Sequence, residues 1–399
     1  MTDLQLHQVL HRETTPLYVF DLAALPQRVA TLREHLPEGV GLCYAVKANP
    51  FLLSALNGVV ERFEICSPGE LVLCQQAGLS PDQYVLSGVY KEPAAMGELV
   101  AQGEIGCYTV ESMTQFSVLY GAALAARKPI SLLLRLTSGN QFGMDQEEIR
   151  WILDHYGEDP CLDIRGIQYF SGTQKHSLKR LARELALVDQ FLASLTPVHP
   201  LRELEFGPGF PVAYFPEDQM DEETFLTEFA DLLRGLTFRG KITLELGRSI
   251  AAGCGTYLTR VVDVKENRGE KYAIVDGGMH QLVYYGQSMA MKHPPVRPLS
   301  PRVGEEPQPW TLCGALCTIN DILVKRLPLG GLEIGDVLVF EQAGAYCMTE
   351  GIALFLSRDL PGVVLCTPDG RAVLARDHLA THPLNTPNHQ RSEERRVGK

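Results

Sequence analysis

A lysine that closes an apolar, strand-like run is the first residue in this chain that invites a chemical reading. Lys47 stands in CYAVKANP, residues 43–50. Burial lowers an amine's pKa, which is what a Schiff-base lysine needs; the plainer alternative is a side chain that snorkels to a rim. Other runs of the same kind end in polar groups. EFGPGFP, residues 205–211, sets Gly207 and Gly209 around a proline, where backbone N–H groups can approach an anion or merely form a turn. LELGRSI, residues 244–250, places Glu245 three residues before Arg248. That pair can hold a ring nitrogen and an anion, or be a structural ion pair. GIQYFSGTQ, residues 166–174, offers Phe170 to stack on a planar ring and Thr173 to donate to a phosphate, or is a core aromatic pair before a turn. Arg135, before GNQFGMD, adds a cation.

These residues converge only if the runs are neighbouring strands. Strand-like runs cover residues 40–46, 62–66, 83–86, 105–109, 130–136, 163–170, 202–206 and 242–246. Amphipathic, helix-like stretches lie at 22–35, 67–77, 111–125, 146–155, 178–194 and 222–236. The one at 67 opens with Ser-Pro-Gly-Glu, a helix-start signal. This alternation predicts a (β/α)8 TIM-like barrel over residues 16–252. No G-x-G-x-x-G follows the first strand, which disfavours a doubly wound open sheet. In such a barrel the site forms at the strands' C-terminal ends, where Lys47, Arg135, Phe170, Gly207 and Glu245 fall.

The pattern changes after Gly253. Strand-like runs separated by turn residues predict a C-terminal all-β, antiparallel domain over residues 253–385, a sandwich or barrel to which residues 1–15 could attach. The proline-rich stretch 293–308 reads as a surface excursion. Residues 386–399 read as a tail. Their last part, RSEERRVGK, has no apolar face, resembles a translated sequencing adapter, and is expected to be foreign to the fold.

Composition bounds the partners. A formal net charge of −12 argues against nucleic acid or an anionic membrane as a ligand. The start carries no basic-then-apolar leader, and no apolar run reaches transmembrane length. The ten cysteines form no C-x-x-C pair and read as reduced, mostly buried thiols of a cytoplasmic protein. The eleven histidines show no metal-ligand spacing, so no metal is expected.

The motifs YAVKAN, EICSPGEL, SGVYKE, YTVES, QFGMD, SGTQ, FGPGFP, ELGRSI, VDGGM, CGALCTINDIL and GAYCM, in this order, resemble those of the fold type III decarboxylases that use pyridoxal 5'-phosphate, the ornithine, arginine and diaminopimelate decarboxylase group. The resemblance runs from about Pro16 to about Leu384. It implies an alanine racemase-like barrel and assigns roles. Lys47 would carry the cofactor, Glu245 would face its ring nitrogen, and Phe170 would stack on the ring. Thr173, Gly207, Gly209, Gly247, Arg248 and Tyr346 would bind the phosphate. Glu64 and Arg135 would lie close to Lys47 and the cofactor. Cys317 would return a proton to Cα after CO2 leaves. The family's sites form between two subunits, so a homodimer is implied, with Cys317, Asp321 and Tyr346 coming from the partner.

Departures from the family pattern bear on the substrate. Phe170 stands where relatives carry a stacking histidine. Pro208 removes one backbone donor from the usual glycine triplet. After the catalytic cysteine, relatives acting on free diamino acids carry an acid that holds the distal ammonium; here it is Thr318. The Arg-Pro pair that helps diaminopimelate decarboxylases bind the far carboxylate is matched by Tyr284-Tyr285. A buried ammonium without a carboxylate is costly. These details resemble a specialised branch: the carrier-bound glutamate decarboxylase of butirosin biosynthesis and decarboxylases of siderophore pathways. The implied substrate is an amino acid whose distal end is conjugated or attached to an acyl carrier protein, with a free diamino acid as the alternative. Two other readings are an alanine-racemase-like enzyme, which Cys317 disfavours, and a non-catalytic relative like the antizyme inhibitors. The retained Lys47, Glu245, Arg248, Cys317 and Tyr346 disfavour the second.

Overall fold

A computed structural model describes residues 1–287 and 289–387. The expected tail, residues 386–399, and its adapter-like end fall at or outside the limit of the described residues. Contacts divide the chain into two units. One holds Ala24–Ala213 and Asp218–Ala252; the other holds Met1–Ala23, Tyr214–Glu217 and the chain from Gly253 onward.

The first unit is a closed, all-parallel barrel. Its strands, labelled in chain order, are β1 Gly41–Ala45, β2 Arg62–Ile65, β3 Tyr84–Leu86, β4 Cys107–Val110, β5 Ile130–Arg135, β6 Leu162–Phe170, β7 Glu203–Gly207 and β8 Lys241–Leu246. Closure is made by β1 against β8, with Cys43 opposite Glu245. Parallel strands covered on both faces read as continuous apolar runs, and β1 to β4 are buried throughout. The helices start where the sequence supplies caps. Ser67 accepts from the Glu70 N–H with Pro68 at the first helical position, and Asp145 and Glu148 form a capping box.

One barrel helix, Pro93–Gln102, is missing from the sequence reading. Its stop signal, Gly103 in the left-handed region at φ 75°, is visible in the sequence, but only Met96 and Val100 are buried along it. Two apolar anchors give too weak a 3.6-residue period to stand out.

The second unit is a nine-stranded mixed sheet, which corrects the antiparallel expectation. Strand Leu17–Asp21 runs parallel to Gly362–Cys366 and antiparallel to Gly255–Asn267. Residues 16–23 therefore belong to the sheet and not, as expected, to the barrel: their backbone donors and acceptors are used there. Glu270–Val275 is likewise parallel to Gln308–Cys313. The proline-rich stretch is not a plain excursion, since Val296–Pro298 pairs with Val337–Phe340. Strands Ile322–Leu329 and Ala372–Arg376 also lie outside the sequence reading. Helix Asp3–Leu10 buries Leu6 and Val9 on a cluster with Leu17, Val19, Leu258, Val339 and Val364. The ten cysteines are unpaired, and no described helix is long and apolar enough to cross a membrane.

β6 and β7 approach unusually closely at Gly166, where an added Cβ would lie 1.7 Å from the Glu203 carbonyl oxygen. Gly41 differs: there a Cβ would meet mainly the Thr243 side chain, at 3.2 Å. We expect Gly166→Ala to lower stability in urea denaturation by roughly 1–3 kcal/mol or more, and Gly41→Ala by clearly less. Equal costs would mean that the barrel adjusts at β6 as easily as a side chain does.

Candidate active site

Lys47 sits in a single 3-10 turn, Val46–Ala48, directly after β1, with Val46 and Ala48 buried on either side. Buried neighbours fix where the side chain leaves the strand. Its ammonium makes a close ion pair with Glu64 at the end of β2 and lies 3.6 Å from a Glu245 oxygen on β8. The Cys66 Sγ is 3.6 Å away and also donates to Glu64, at 3.2 Å. Glu64 and Glu245 are 4% and 6% exposed, against 38% for the lysine. The amine therefore reaches open space while its counter-charges stay buried.

Electrostatics separates the acids. Burial alone would raise Glu64, but the charge and hydrogen bond of Lys47 override it and hold the carboxyl below its ordinary range. Burial and the like charge of Glu64 push Glu245 up to about 8, against the pull of Lys47. Burial also pushes Glu205, on β7, up to about 7, with Arg62 opposing. The buried amide of Gln168, on β6, joins these two acids: its nitrogen donates to Glu205 at 3.1 Å and to Glu245 at 3.3 Å. Arg135, ending β5, pairs with Glu111 at 3.0 Å and lies 4.8 Å from the centre of the Phe142 ring.

A second cluster gathers glycines and cations at the ends of β6, β7 and β8. An added Cβ at Gly207 would lie 2.4 Å from the Phe170 ring. Gly209, at φ 61°, would place one 2.2 Å from the Gly172 carbonyl and 3.0 Å from Thr173 Cα. Only glycine permits this approach. Arg248 Nε donates to the Thr173 hydroxyl at 3.4 Å, and Gly247 precedes the short helix Arg248–Ala251. Lys175, fully buried, binds Glu184 at 2.7 Å and the Gly207 carbonyl at 3.4 Å, beneath Phe170.

The remaining candidates lie on the sheet unit. Cys317 is exposed and Thr318 partly so. Tyr346 is half-buried with φ 64°, and its carbonyl accepts from Thr349 and Glu350. Two further candidates are buried in the chain. Asp321, expected to contact substrate, is 2% exposed; its two oxygens accept from the Met279 and Leu316 N–H groups, each at 2.8 Å, so it shapes the loop that carries Cys317. Tyr284, also expected at the substrate, is buried against Tyr214 and donates to the Glu341 carbonyl at 2.5 Å.

The sequence reading missed Cys66, Glu111, Gln168, Lys175 and Glu205. A signal existed for two of them. Gln168 and Glu205 each lie two residues before a site residue, Phe170 and Gly207, so they share its strand face. A polar side chain inside such a run needs a partner.

The protein family described as "Pyridoxal-dependent decarboxylase, C-terminal sheet domain" matches residues 17–344. The chain belongs to this family. The diaminopimelate decarboxylase of Vibrio cholerae is 32% identical over 360 residues, 84% of each chain. The 2-[(L-alanin-3-ylcarbamoyl)methyl]-2-hydroxybutanedioate decarboxylase of Staphylococcus aureus is 26% identical, covering 91% of this chain and 95% of that one. The crystal structure of AQ1208 from Aquifex aeolicus superposes with a TM-score of 0.83 at 27% identity, covering 95% and 93%. The protein is thus a carbon–carbon lyase, an amino-acid decarboxylase dependent on pyridoxal phosphate. The barrel residues suit that group: a partly exposed lysine between buried acids, and two glycines, Gly207 and Gly209, at which a Cβ would collide.

The raised carboxyls make stability depend on pH. In the fold Glu205 keeps its proton up to about 7, whereas its ordinary value is 4.5. Between those values the folded chain binds a proton the unfolded chain has released, so this contribution weakens as pH rises through the window. We expect Glu205→Gln to flatten the decline of cofactor-free stability between pH 5 and 8 by about 1–3 kcal/mol, measured by urea denaturation at both pH values. Parallel pH profiles for the variant and the parent would refute the raised carboxyl.

Proposed function

We propose that the protein decarboxylates an amino acid whose distal end is conjugated, as in specialised antibiotic or siderophore biosynthesis, including the case of attachment to an acyl carrier protein. The observation that carries this is the Cys317 loop. Its one carboxylate, Asp321, is buried and held by two backbone N–H groups, which leaves the Thr318 hydroxyl and the exposed Ile319 beside the cysteine. Nothing in residues 316–321 can neutralise a distal ammonium, whereas a neutral amide or ester meets a hydroxyl without penalty. The Staphylococcus aureus relative bears a name in which the amino acid is joined through a carbamoyl group.

The residues divide the work. Lys47 holds the cofactor through its amine, and Glu64 and Arg135 set the charge around it. Thr173, Arg248, the backbone at Gly207, Gly209 and Gly247, and Tyr346 bind the phosphate. When bound, pyridoxal phosphate supplies a ring that accepts the electron pair left as the substrate's Cα–carboxylate bond breaks. Glu245 would hold a proton at the ring nitrogen. Phe170 presents an apolar surface that excludes water from the departing carboxylate. The Cys317 thiol then returns a proton to Cα. Cys317 and Tyr346 act on the barrel of a second copy, so the working unit is a homodimer.

CO2 release is to be measured with free ornithine, lysine, arginine and meso-diaminopimelate, and separately with carrier-bound glutamate and citrate-conjugated diamino acids. Turnover confined to the second set is expected. Thr318→Glu should then raise kcat/KM for free diamino acids roughly 10- to 100-fold, the worth of a charge-assisted hydrogen bond. Fast turnover of a free diamino acid by the unaltered enzyme would overturn the substrate assignment.

The shared site is tested by mixing two inactive variants, Lys47→Ala and Cys317→Ala, and allowing subunits to exchange. Half of the dimers become hybrids, each with one intact site, so about a quarter of wild-type activity should return. No recovery, with exchange verified by mass, would place both residues in the site of a single chain.

A further inference from the structure

Gln168, Glu205 and Glu245 lie on consecutive strands β6, β7 and β8, deep in the barrel, and none has a role so far except Glu245. We infer that Glu205 is a positioning residue for the cofactor's ring nitrogen: bridged through Gln168 to Glu245, its buried carboxylate holds a proton within the contact between Glu245 and that nitrogen. The inference rests on the reading of Glu245 given above.

The bridge is specific. Both hydrogens of one amide are used, at 3.1 Å to Glu205 and 3.3 Å to Glu245, and Gln168 is 1% exposed. Its oxygen is left buried without a hydrogen-bond partner among the described residues. When the two acids are ionised, turning the amide over would set that oxygen against two carboxylates, so they fix its orientation and the carbonyl bears the cost.

Stability alone gives no reason for Glu205. The cation nearest to it, Arg62, already binds Glu203 at 2.9 Å and stands 3.9 Å from Glu205. A buried acid in excess of its partners lowers stability, and apolar replacements for buried ionic groups are often stabilising.

Above about pH 7, where Glu205 gives up its proton, its negative charge has a chemical consequence. Glu245 feels Lys47 and Arg135, which favour its ionised form, and Glu64 and Glu205, which favour a bound proton. Glu205 in turn faces Arg62, Gln168, Glu64 and Glu203, with the thiols of Cys43 and Cys107 nearby and un-ionised because burial raises them. Added negative charge raises the proton affinity of everything in its field, the carboxyl and a ring nitrogen opposite it alike. The proton is therefore held in the pair, where a protonated ring is the better electron sink.

The test uses holoenzyme carrying pyridoxal phosphate labelled with 15N in the ring, whose nitrogen chemical shift is followed against pH. Cofactor content and melting temperature are recorded for each variant. Glu205→Gln is expected to move the ring-nitrogen midpoint down by roughly one pH unit, the scale of a single charge a few ångströms away, with cofactor content unchanged. Glu205→Asp, which keeps the charge, should restore most of the shift. Should Glu205→Gln not fold, Glu205→Leu serves the same arm. Glu245→Gln separates the two claims. If it moves the midpoint while neutral variants at position 205 do not, Glu205 is structural and the inference falls alone. If Glu245→Gln leaves the midpoint in place, the role of Glu245 falls and takes the inference with it.

Discussion

Glu64, Glu205 and Glu245 project from parallel strands whose side chains are mostly buried and apolar. Bringing a carboxylate out of water costs several kcal/mol even after relaxation, so each needs a partner close by. Glu64 is satisfied by Lys47, and Glu205 in part by Arg62. Glu245 shares Lys47 and is tied to Glu205 through Gln168. Once these charges are present, the positions of Lys47, Gln168 and Arg62 are constrained: moving any of them strands a buried charge. The charge-dense interior is the condition under which an amine, an acid and a ring can be held in one arrangement before substrate arrives.

The barrel topology supplies the proximity. Closure of β1 on β8 places Cys43 opposite Glu245, so a lysine one turn beyond β1 reaches the end of β8 although 198 positions separate Lys47 from Glu245 in sequence (245 − 47). β2, next to β1 on the other side, delivers Glu64 opposite Ala45. β6, β7 and β8 are successive neighbours, which gives Gln168, Glu205 and Glu245 their line across the interior and puts Phe170 against Gly207. The same two-residue period serves both clusters. Along β6 and β7 one polar residue faces the acid chain, and the residue two positions later joins the glycine cluster.

How much of this the sequence disclosed follows from what each signal measures. Eight parallel strands were legible because burial on both faces leaves continuous apolar runs, and Lys47, Glu245 and the glycine segment were legible because polar or glycine residues end those runs at one side of a barrel. Gln168 and Glu205 were not, because a lone polar residue in a strand shows that some partner exists without saying which. Strand Leu17–Asp21 was assigned to the wrong unit because an apolar run carries no record of which sheet it joins; its partners lie more than 230 positions away. Helix Pro93–Gln102 had caps and little periodicity. For Asp321 and Tyr284 the sequence shows types that suit substrate contact but not the backbone groups that the fold brings to them.

That expenditure shapes the chemistry left on the loop. With both oxygens bound to the N–H groups of Met279 and Leu316, Asp321 can neither turn outward nor be replaced by an apolar residue without freeing two buried donors. Gly278 and Gly314 crowd it further, since a Cβ at either would fall within 2.6 Å of its carboxylate. The loop is thereby held around its only acid, and the face it offers consists of Cys317, Thr318, Ile319 and Asn320, which include no carboxylate and no ammonium. In the proposed function, a loop built this way discriminates through the absence of a counter-charge: it penalises a ligand that must bury an ammonium beside Cys317.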